Sequence, residues 1–271
     1  MTLNEATQRL LAAGVPDARY DARELFYHAL GLTRGAYIDP EKDYGCEKLD
    51  GYIERRCARE PLQYIIGKVG FFREEYKVTP DVLIPRSDTE CLVEYAVKNL
   101  PRGARFLDIC CGSGCIAIST LNNTKDTTAT AVDISEGALA VARENAEKIG
   151  VESRLSLLSS DALKSLPEGR FYAALSNPPY VSESAYRELL PEIYKEPRIA
   201  FLGGADGGDF YRSLTPRLKE IIEPEGFIAY EIGYDQVPLM ESLAEEYSLS
   251  LSVMRDLGGN PRVAVFKKST I

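Results

Sequence analysis

One four-residue motif in this sequence is suited to holding a planar amino group. It consists of Asn177, Pro178, Pro179 and Tyr180. The two prolines fix φ and remove two N–H donors, so the Pro178 carbonyl is held rigidly beside the Asn177 side chain. That carbonyl and Asn177 Oδ1 can accept both hydrogens of one NH₂ group, and Tyr180 offers a flat face for stacking. The motif therefore indicates a site for an amide or an aromatic amine; the alternative is a proline-rich turn with a surface tyrosine.

A second candidate site is a glycine-containing loop, formed by Cys110, Cys111, Gly112, Ser113 and Gly114. Glycines let a backbone approach a ligand closely, and the N-terminus of a following helix favours an anionic group.

An acidic residue, Asp133, ends the next predicted strand after this loop. A carboxylate there can accept hydrogen bonds from both hydroxyls of a ribose. The pattern fits NAD enzymes and nucleoside-cofactor methyltransferases alike, but the G-x-G-x-x-G of dinucleotide sites is missing. A plain β–α turn with a helix-capping aspartate is the structural alternative.

The elements that must position these residues follow Pro101, where strand-type and helix-type patterns alternate. Strands are predicted at 105–110, 128–133, 154–159, 172–177, 226–232, 249–255 and 262–267, and helices at 115–121, 136–149, 209–222 and 237–247. This alternation predicts an α/β fold with a mostly parallel, doubly wound sheet. The short turn before the last strand requires an antiparallel pair there. Both candidate sites then lie at the carboxyl edge of the sheet, where ligands bind.

The residues before the sheet have a different character. Helical spacing of apolar residues and a capping-box pattern at Thr2 and Glu5 predict helices up to about residue 66. Residues 68–84 alternate and are rich in Val, Phe and Tyr, which predicts a β-hairpin with its turn near 73–75. We therefore expect an N-terminal helical domain (1–66), a β-hairpin linker (67–86) and an α/β domain (87–271).

Composition excludes several classes of function. The single histidine rules out a two-histidine metal site, and the six cysteines lack C-x-x-C spacing, so we expect no metal. The net charge of −9 disfavours direct nucleic-acid binding. The polar, helical start predicts no signal peptide, and no apolar run of about 18 residues predicts a membrane span. Cysteine usage fits a reducing cytoplasm.

The motif at 177–180, placed directly after the fourth predicted strand, resembles the hallmark of class I S-adenosylmethionine methyltransferases that modify planar NH₂ nitrogens. The rest of the chain resembles one branch, the PrmC/HemK protein-glutamine methyltransferases of peptide chain release factors. The likeness lies in EPLQYIIGKVGFF (60–72), VLIPRSDTE (82–90), LDICCGSGCIAI (107–118), EPRIAFLGGADGG (196–208) and DLGGNPRVAV (256–265).

This resemblance implies a function and a set of roles. The enzyme would methylate the glutamine of the Gly-Gly-Gln motif in class I release factors, using S-adenosyl-L-methionine. Residues 110–114 would hold the methionine end of the cofactor, Asp133 the ribose, and Asp161 with Ala162 the adenine. Residues 177–180 would be catalytic and hold the target amide, with Asn177 also next to the cofactor. Residues 87–271 would be the methyltransferase domain.

The sequence also allows two other functions. An adenine exocyclic-amine methyltransferase acting on DNA or RNA would share the chemistry of the motif, although the acidic charge disfavours it. A non-catalytic, cofactor-binding adaptor of translation would need only the nucleoside site.

The chain departs from the family pattern at Cys110, where the family usually has glycine. Because a residue with a Cβ tolerates positive φ poorly, we predict that Cys110 adopts a negative φ with its side chain against the sheet.

Overall fold

A computed structural model describes residues 1–269, so the last two positions of the predicted domain 87–271, Thr270 and Ile271, lie outside the described residues. Two compact units make up the described chain. The first consists of Met1–Lys68 together with Leu190–Lys195, and the second contains Val69–Leu189 and the residues from Glu196 onward. The division into a helical domain (1–66), a linker (67–86) and a methyltransferase domain stays a prediction.

The first unit is helical, as its apolar spacing predicts. Its helices are α1 (Leu3–Ala12), α2 (Ala18–Leu30), α3 (Glu47–Cys57) and α4 (Leu62–Ile66). The predicted capping box begins α1, because Glu5 N–H donates to Thr2 Oγ1 at 3.1 Å and Thr2 N–H donates to Glu5 Oε2 at 2.8 Å. The core of the unit contains the fully buried side chains of Leu10, Leu25, Phe26, Leu49 and Ile53.

An ion-pair network in this unit holds the segment Leu190–Lys195. Arg56 donates to Asp21 Oδ2 at 2.7 Å and to Glu192 Oε1 at 2.9 Å, and Arg59 donates to both oxygens of Glu192 at 2.7 and 2.6 Å. Burial raises the pKa of Glu192, but hydrogen bonds from the two arginines outweigh it and lower that pKa to about 2. A segment distant in sequence is thus fixed to the helices through charge.

The boundary between the units falls after the first residue of a hairpin, whose strands are β1 (Lys68–Phe71) and β2 (Glu74–Lys77). Helix α5 (Glu90–Asn99) follows in the second unit. Its seven-stranded sheet has the spatial order β5-β4-β3-β6-β7-β9-β8. The strands are β3 (Arg105–Ile109), β4 (Thr128–Asp133), β5 (Leu155–Ser159), β6 (Phe171–Ser176), β7 (Ile222–Glu231), β8 (Leu249–Arg255) and β9 (Pro261–Lys268). Only β9 runs antiparallel to its neighbours. The predicted fold class is therefore confirmed.

Helices cover both faces of this sheet. They include α5, α6 (Cys115–Asn122) and α7 (Glu136–Ile149), and further α9 (Asp209–Ile221) and α10 (Val237–Glu246). The short helix α8 (Glu183–Tyr186) follows the motif at 177–180. Consecutive residues of β3 lie on opposite faces of the sheet, and both are buried. Phe106 belongs to one buried cluster and Leu107 to another. Strands covered on both faces explain the nearly continuous apolar runs in the sequence. Within residues 1–269, no helix has the length and apolar character needed to cross a membrane.

Replacing Glu192 by Gln tests the ion-pair network. The variant keeps the shape of the side chain but leaves two guanidinium groups facing a neutral amide. We expect the free energy of unfolding at pH 7 to fall by about 2–3 kcal/mol, because a largely buried charge loses its partner. Asp126→Asn is the matched control, since its pair with Arg102 is exposed and contributes about 0.5 kcal/mol or less. Equally small losses in urea denaturation of the two variants would contradict this account.

Candidate active site

A cavity of about 340 Å³ opens at the carboxyl edge of the parallel strands. Its wall contains residues that directly follow or end β3, β4, β5 and β6. Of the residues predicted for the cofactor, six line it: Cys110, Gly112, Asp133, Asp161, Ala162 and Asn177. Pro179 of the four-residue motif also lines it. The sheet therefore brings the two candidate sites of the sequence together at one cavity.

The other predicted residues lie next to this wall and do not form it. Cys111 is buried in the apolar core, and the side chain of Ser113 is also buried. A Cβ on Gly114 would lie 2.8 Å from Ile118 Cδ1, so this glycine allows helix α6 to begin close to its neighbours. Pro178 is buried, and the half-buried Tyr180 packs against the core cluster on its side of the sheet.

Asp133 is held in place by backbone donors. Its Oδ2 accepts the Gly112 N–H at 2.8 Å, and its Oδ1 accepts the Ser135 N–H at 2.9 Å. Burial raises the pKa of Asp133, and these backbone hydrogen bonds oppose that effect. Each carboxylate oxygen keeps a lone pair for a further donor. The side chain can therefore accept hydrogen bonds from a diol at the cavity.

The prediction of a negative φ at Cys110 is wrong: its φ is +61°. The hydrogen bonds on either side give the reason. Ile109 still pairs with Val132 of β4, while the Cys111 N–H donates to the Val132 carbonyl at 3.1 Å. The residues before and after Cys110 are thus both tied to Val132, which leaves one extra residue between them, and a left-handed conformation at Cys110 accommodates it. The half-buried Cys110 side chain packs against the core cluster beside the sheet.

A buried acid, Asp108, lies near the end of β3. Its Oδ2 accepts the Ala117 N–H at 2.9 Å. Its Oδ1 and the Ser113 hydroxyl are buried, and neither has a hydrogen-bond partner among residues 1–269. Burial raises the pKa of Asp108 to about 8. Asp108 Oδ1 and the Ser113 hydroxyl therefore remain available for a further hydrogen bond.

The Asn177 side chain takes part in a hydrogen-bond network. Its Nδ2 donates to Thr89 Oγ1 at 3.3 Å, and Thr89 Oγ1 donates to Glu231 Oε2 at 2.5 Å. Tyr180 donates its hydroxyl hydrogen to Glu231 Oε1 at 3.2 Å. The sequence reasoning missed Thr89 and Glu231. The available signals were an acid at the end of an otherwise apolar strand and the place of Thr89 in the segment VLIPRSDTE (82–90).

The backbone of the motif is fixed by the segment 201–208. The Val181 N–H donates to the Phe201 carbonyl at 2.7 Å. A Cβ on Gly203 would lie 2.5 Å from the Pro179 carbonyl oxygen, and one on Gly207 would lie 2.1 Å from that of Tyr180. Both glycines are therefore required for this close approach.

Comparison with known proteins agrees with this geometry. Residues 2–67 match the family described as PrmC N-terminal domain, and residues 87–197 match the methyltransferase small domain. A release factor glutamine methyltransferase of Geobacter sulfurreducens is 41% identical over 232 residues, which cover 84% of this chain and 81% of that protein. One from Caulobacter vibrioides is 36% identical over 274 residues, covering 98% and 95%. The chain belongs to the release factor glutamine methyltransferase family.

Solved structures support the fold of this family member. A methyltransferase from Pyrococcus furiosus gives a TM-score of 0.54 at 20% identity, covering 72% of this chain and 89% of that one. A ribosomal protein L11 methylase from Lactobacillus delbrueckii gives 0.52 at 19% identity, covering 71% and 84%. At these identities the likeness shows the fold alone. The family resemblance predicted from the motifs is confirmed by the curated relatives.

The methyl donor of this methyltransferase is S-adenosylmethionine, and the charge of the cavity fits it. Three acidic side chains act on the thiol of Cys110, namely Asp133, Asp108 and Asp161, although Asp108, with a pKa of about 8, keeps its proton at neutral pH. Burial first, and then these acidic groups, raise the pKa of that thiol. Such surroundings favour a ligand with sulfonium and ammonium groups over one with a diphosphate.

The shape of the wall fits the nucleoside part of that donor. Three cavity-lining apolar side chains are exposed, with Ile134, Leu163 and Ile199 showing 51%, 38% and 57% of their surface. A planar base would cover such side chains. The residues present therefore fit S-adenosylmethionine, and Asp133 on the cavity wall would be the acceptor for its ribose hydroxyls.

Two substitutions at Cys110 test the backbone strain. Cys110→Gly and Cys110→Ala both remove the thiol, but only glycine accepts a φ of +61° without a steric penalty. We expect the glycine variant to be about 1 kcal/mol more stable than the alanine variant. At an ordinary φ the order would be the reverse. An alanine variant that is the more stable of the two in urea denaturation would show that position 110 is not left-handed.

The buried Asp108 predicts a dependence of stability on pH. Its pKa rises from 3.8 in the unfolded chain to about 8 in the folded one, so the folded state binds the extra proton between these values. Its contribution to stability is therefore lost as pH rises through that window. Between pH 5 and pH 8, wild type should lose at least about 1 kcal/mol more unfolding free energy than Asp108→Asn. Equal losses in urea titrations at the two pH values would refute the assignment.

Proposed function

We propose that this enzyme transfers a methyl group from S-adenosylmethionine to the side-chain amide nitrogen of the glutamine in the Gly-Gly-Gln motif of class I peptide chain release factors. The observation that carries the proposal is the position of Asn177 on the cavity wall, with its Nδ2 occupied by Thr89. The amide oxygen of Asn177 is thereby left to accept a hydrogen bond from a target NH₂ group. The names of the curated relatives support the release factor as the substrate.

The residues of the motif act on a poor nucleophile, because the amide nitrogen shares its lone pair with the carbonyl. Asn177 Oδ1 and the Pro178 carbonyl accept hydrogen bonds from the two amide hydrogens. These bonds strengthen as the nitrogen becomes positive, so they stabilise the transition state more than the ground state. S-adenosylmethionine, when bound, supplies an electrophilic methyl group. No base is needed before transfer, because the methylated nitrogen is acidic and its proton passes to water.

We infer that the partner is the release factor protein and that nucleic acid is not bound directly. The chain carries a net charge of −9, and the carboxylates of Asp133 and Asp161 line the cavity. Both features repel a polyphosphate backbone. All six cysteines are free thiols, which supports a reducing cytoplasm as the place of reaction.

Methylation assays with labelled S-adenosylmethionine test this function. Label should enter a class I release factor and should be absent from a release factor whose motif reads Gly-Gly-Glu, because glutamate lacks the NH₂ group. Asn177→Ala should lower kcat by about 10²–10³-fold, by analogy with the loss of one group that stabilises transition-state charge. Its affinity for S-adenosylhomocysteine should change by less than about threefold.

Asn122→Ala is the matched control, since Asn122 is exposed and its side chain bonds to Glu74, away from the cavity. Near-normal turnover of Asn177→Ala would refute the amide clamp. Incorporation of label into DNA or RNA instead of the release factor would favour the adenine-amine alternative.

A further inference from the structure

A buried carboxylate lies behind the motif at the end of β7. Glu231 exposes 1% of its surface and Thr89 exposes 2%, so neither reaches the solvent. They belong to different elements, because Thr89 ends a short 3₁₀ turn (Ser87–Thr89) immediately before α5. A charged side chain in such a place needs donors, and Thr89 and Tyr180 supply them.

The hydrogen bonds of Thr89 have a fixed direction. The Thr89 hydroxyl donates its single hydrogen to Glu231 Oε2 at 2.5 Å, in keeping with an ionised carboxylate, which can only accept. The Thr89 oxygen can then only accept from its other neighbour, Asn177. The bond at 3.3 Å therefore selects the amide nitrogen of Asn177 and excludes its oxygen.

A positive charge near Glu231 favours its ionised form. Arg262 acts on Glu231 electrostatically and also pairs with Asp88 and Asp256, both at 3.1 Å. Burial is the largest influence and leaves the pKa of Glu231 raised, with Asp88 adding to it, while the hydrogen bonds from Thr89 and Tyr180 and the charge of Arg262 oppose it. Arg262, Thr89 and Tyr180 thus all stabilise the carboxylate of Glu231 as a hydrogen-bond acceptor.

The orientation of Asn177 matters because an amide is nearly symmetrical in shape. Rotation by half a turn would present its NH₂ group to the target NH₂ group, and two donors repel each other. Shape alone does not prevent this rotation.

We propose that Glu231 and Thr89 are positioning residues that hold the Asn177 amide with its oxygen toward the target nitrogen. The inference deepens the proposed function and rests on it. The pair acts through Asn177 and does not contact the substrate. It makes the site specific for groups that donate two hydrogens, such as a primary amide, and unsuited to carboxylates.

Substitutions at Thr89 test the proposal. Thr89→Val keeps the volume of the side chain but removes both hydrogen bonds, so kcat should fall by about 10–100-fold with KM and the Kd of S-adenosylhomocysteine nearly unchanged. Thr89→Ser restores the hydroxyl and should return kcat to within about threefold of wild type. Thr215→Val is the matched control, since Thr215 is a fully buried threonine whose hydroxyl contacts Tyr230 at 3.3 Å. Its kcat should stay within about twofold of wild type.

A double-mutant cycle separates positioning from general support of the fold. If Thr89 acts through Asn177, then Thr89→Val should change kcat by less than about twofold in an Asn177→Ala background. Losses that add up in the double variant, or normal kcat in Thr89→Val, would overturn the proposal. If circular dichroism shows that Thr89→Val does not fold, Thr89→Ala, which also removes both hydrogen bonds, replaces it in the cycle with the same expected outcomes. Wild-type methylation of the release factor tests the proposed function separately, because its absence would refute that function before any variant is compared.

Discussion

The close packing of two glycines against the backbone at 179–180 is the constraint on which the site depends. Gly203 and Gly207 lie where any Cβ would overlap a carbonyl oxygen of the motif. Gln236 adds a hydrogen bond from its Nε2 to the Tyr180 carbonyl at 3.1 Å. The two prolines limit φ within the motif. The contacts with Gly203, Gly207 and Gln236 fix its backbone from outside. Rigid acceptors can stabilise a developing charge without first being reorganised.

Electrostatics at the carboxyl edge complement this rigid geometry. The carboxylates of Asp108 and Asp133 are buried at the loop, and Glu231 is buried behind the motif. Removing these groups from water raises the pKa of each, so a donor or a cation that reaches one of them stabilises its ionised form. A positively charged methyl donor and a nitrogen that becomes positive on methylation both meet that requirement. The same surroundings disfavour phosphate-containing ligands.

Much of the fold and part of the site could be predicted from local sequence. Short apolar runs located the strands of the sheet, and the order of strands and helices placed Asp133 and Asn177 at one edge. The contacts of Thr89 with Glu231 could not be predicted, because they join residues 142 positions apart. The positive φ of Cys110 depends on hydrogen bonds to a neighbouring strand, which outweigh local preference. Likewise, the position of Glu192 depends on arginines that precede it by more than 130 residues.

A crystal structure of the enzyme with S-adenosylhomocysteine and a release factor would test the central claim most directly. The account predicts that the glutamine amide nitrogen of the Gly-Gly-Gln motif lies about 2.7–3.2 Å from both Asn177 Oδ1 and the Pro178 carbonyl oxygen. Thr89 should still contact the amide nitrogen of Asn177 in that complex. A glutamine nitrogen held by other groups, or an Asn177 amide rotated so that its nitrogen faces the target, would contradict the account.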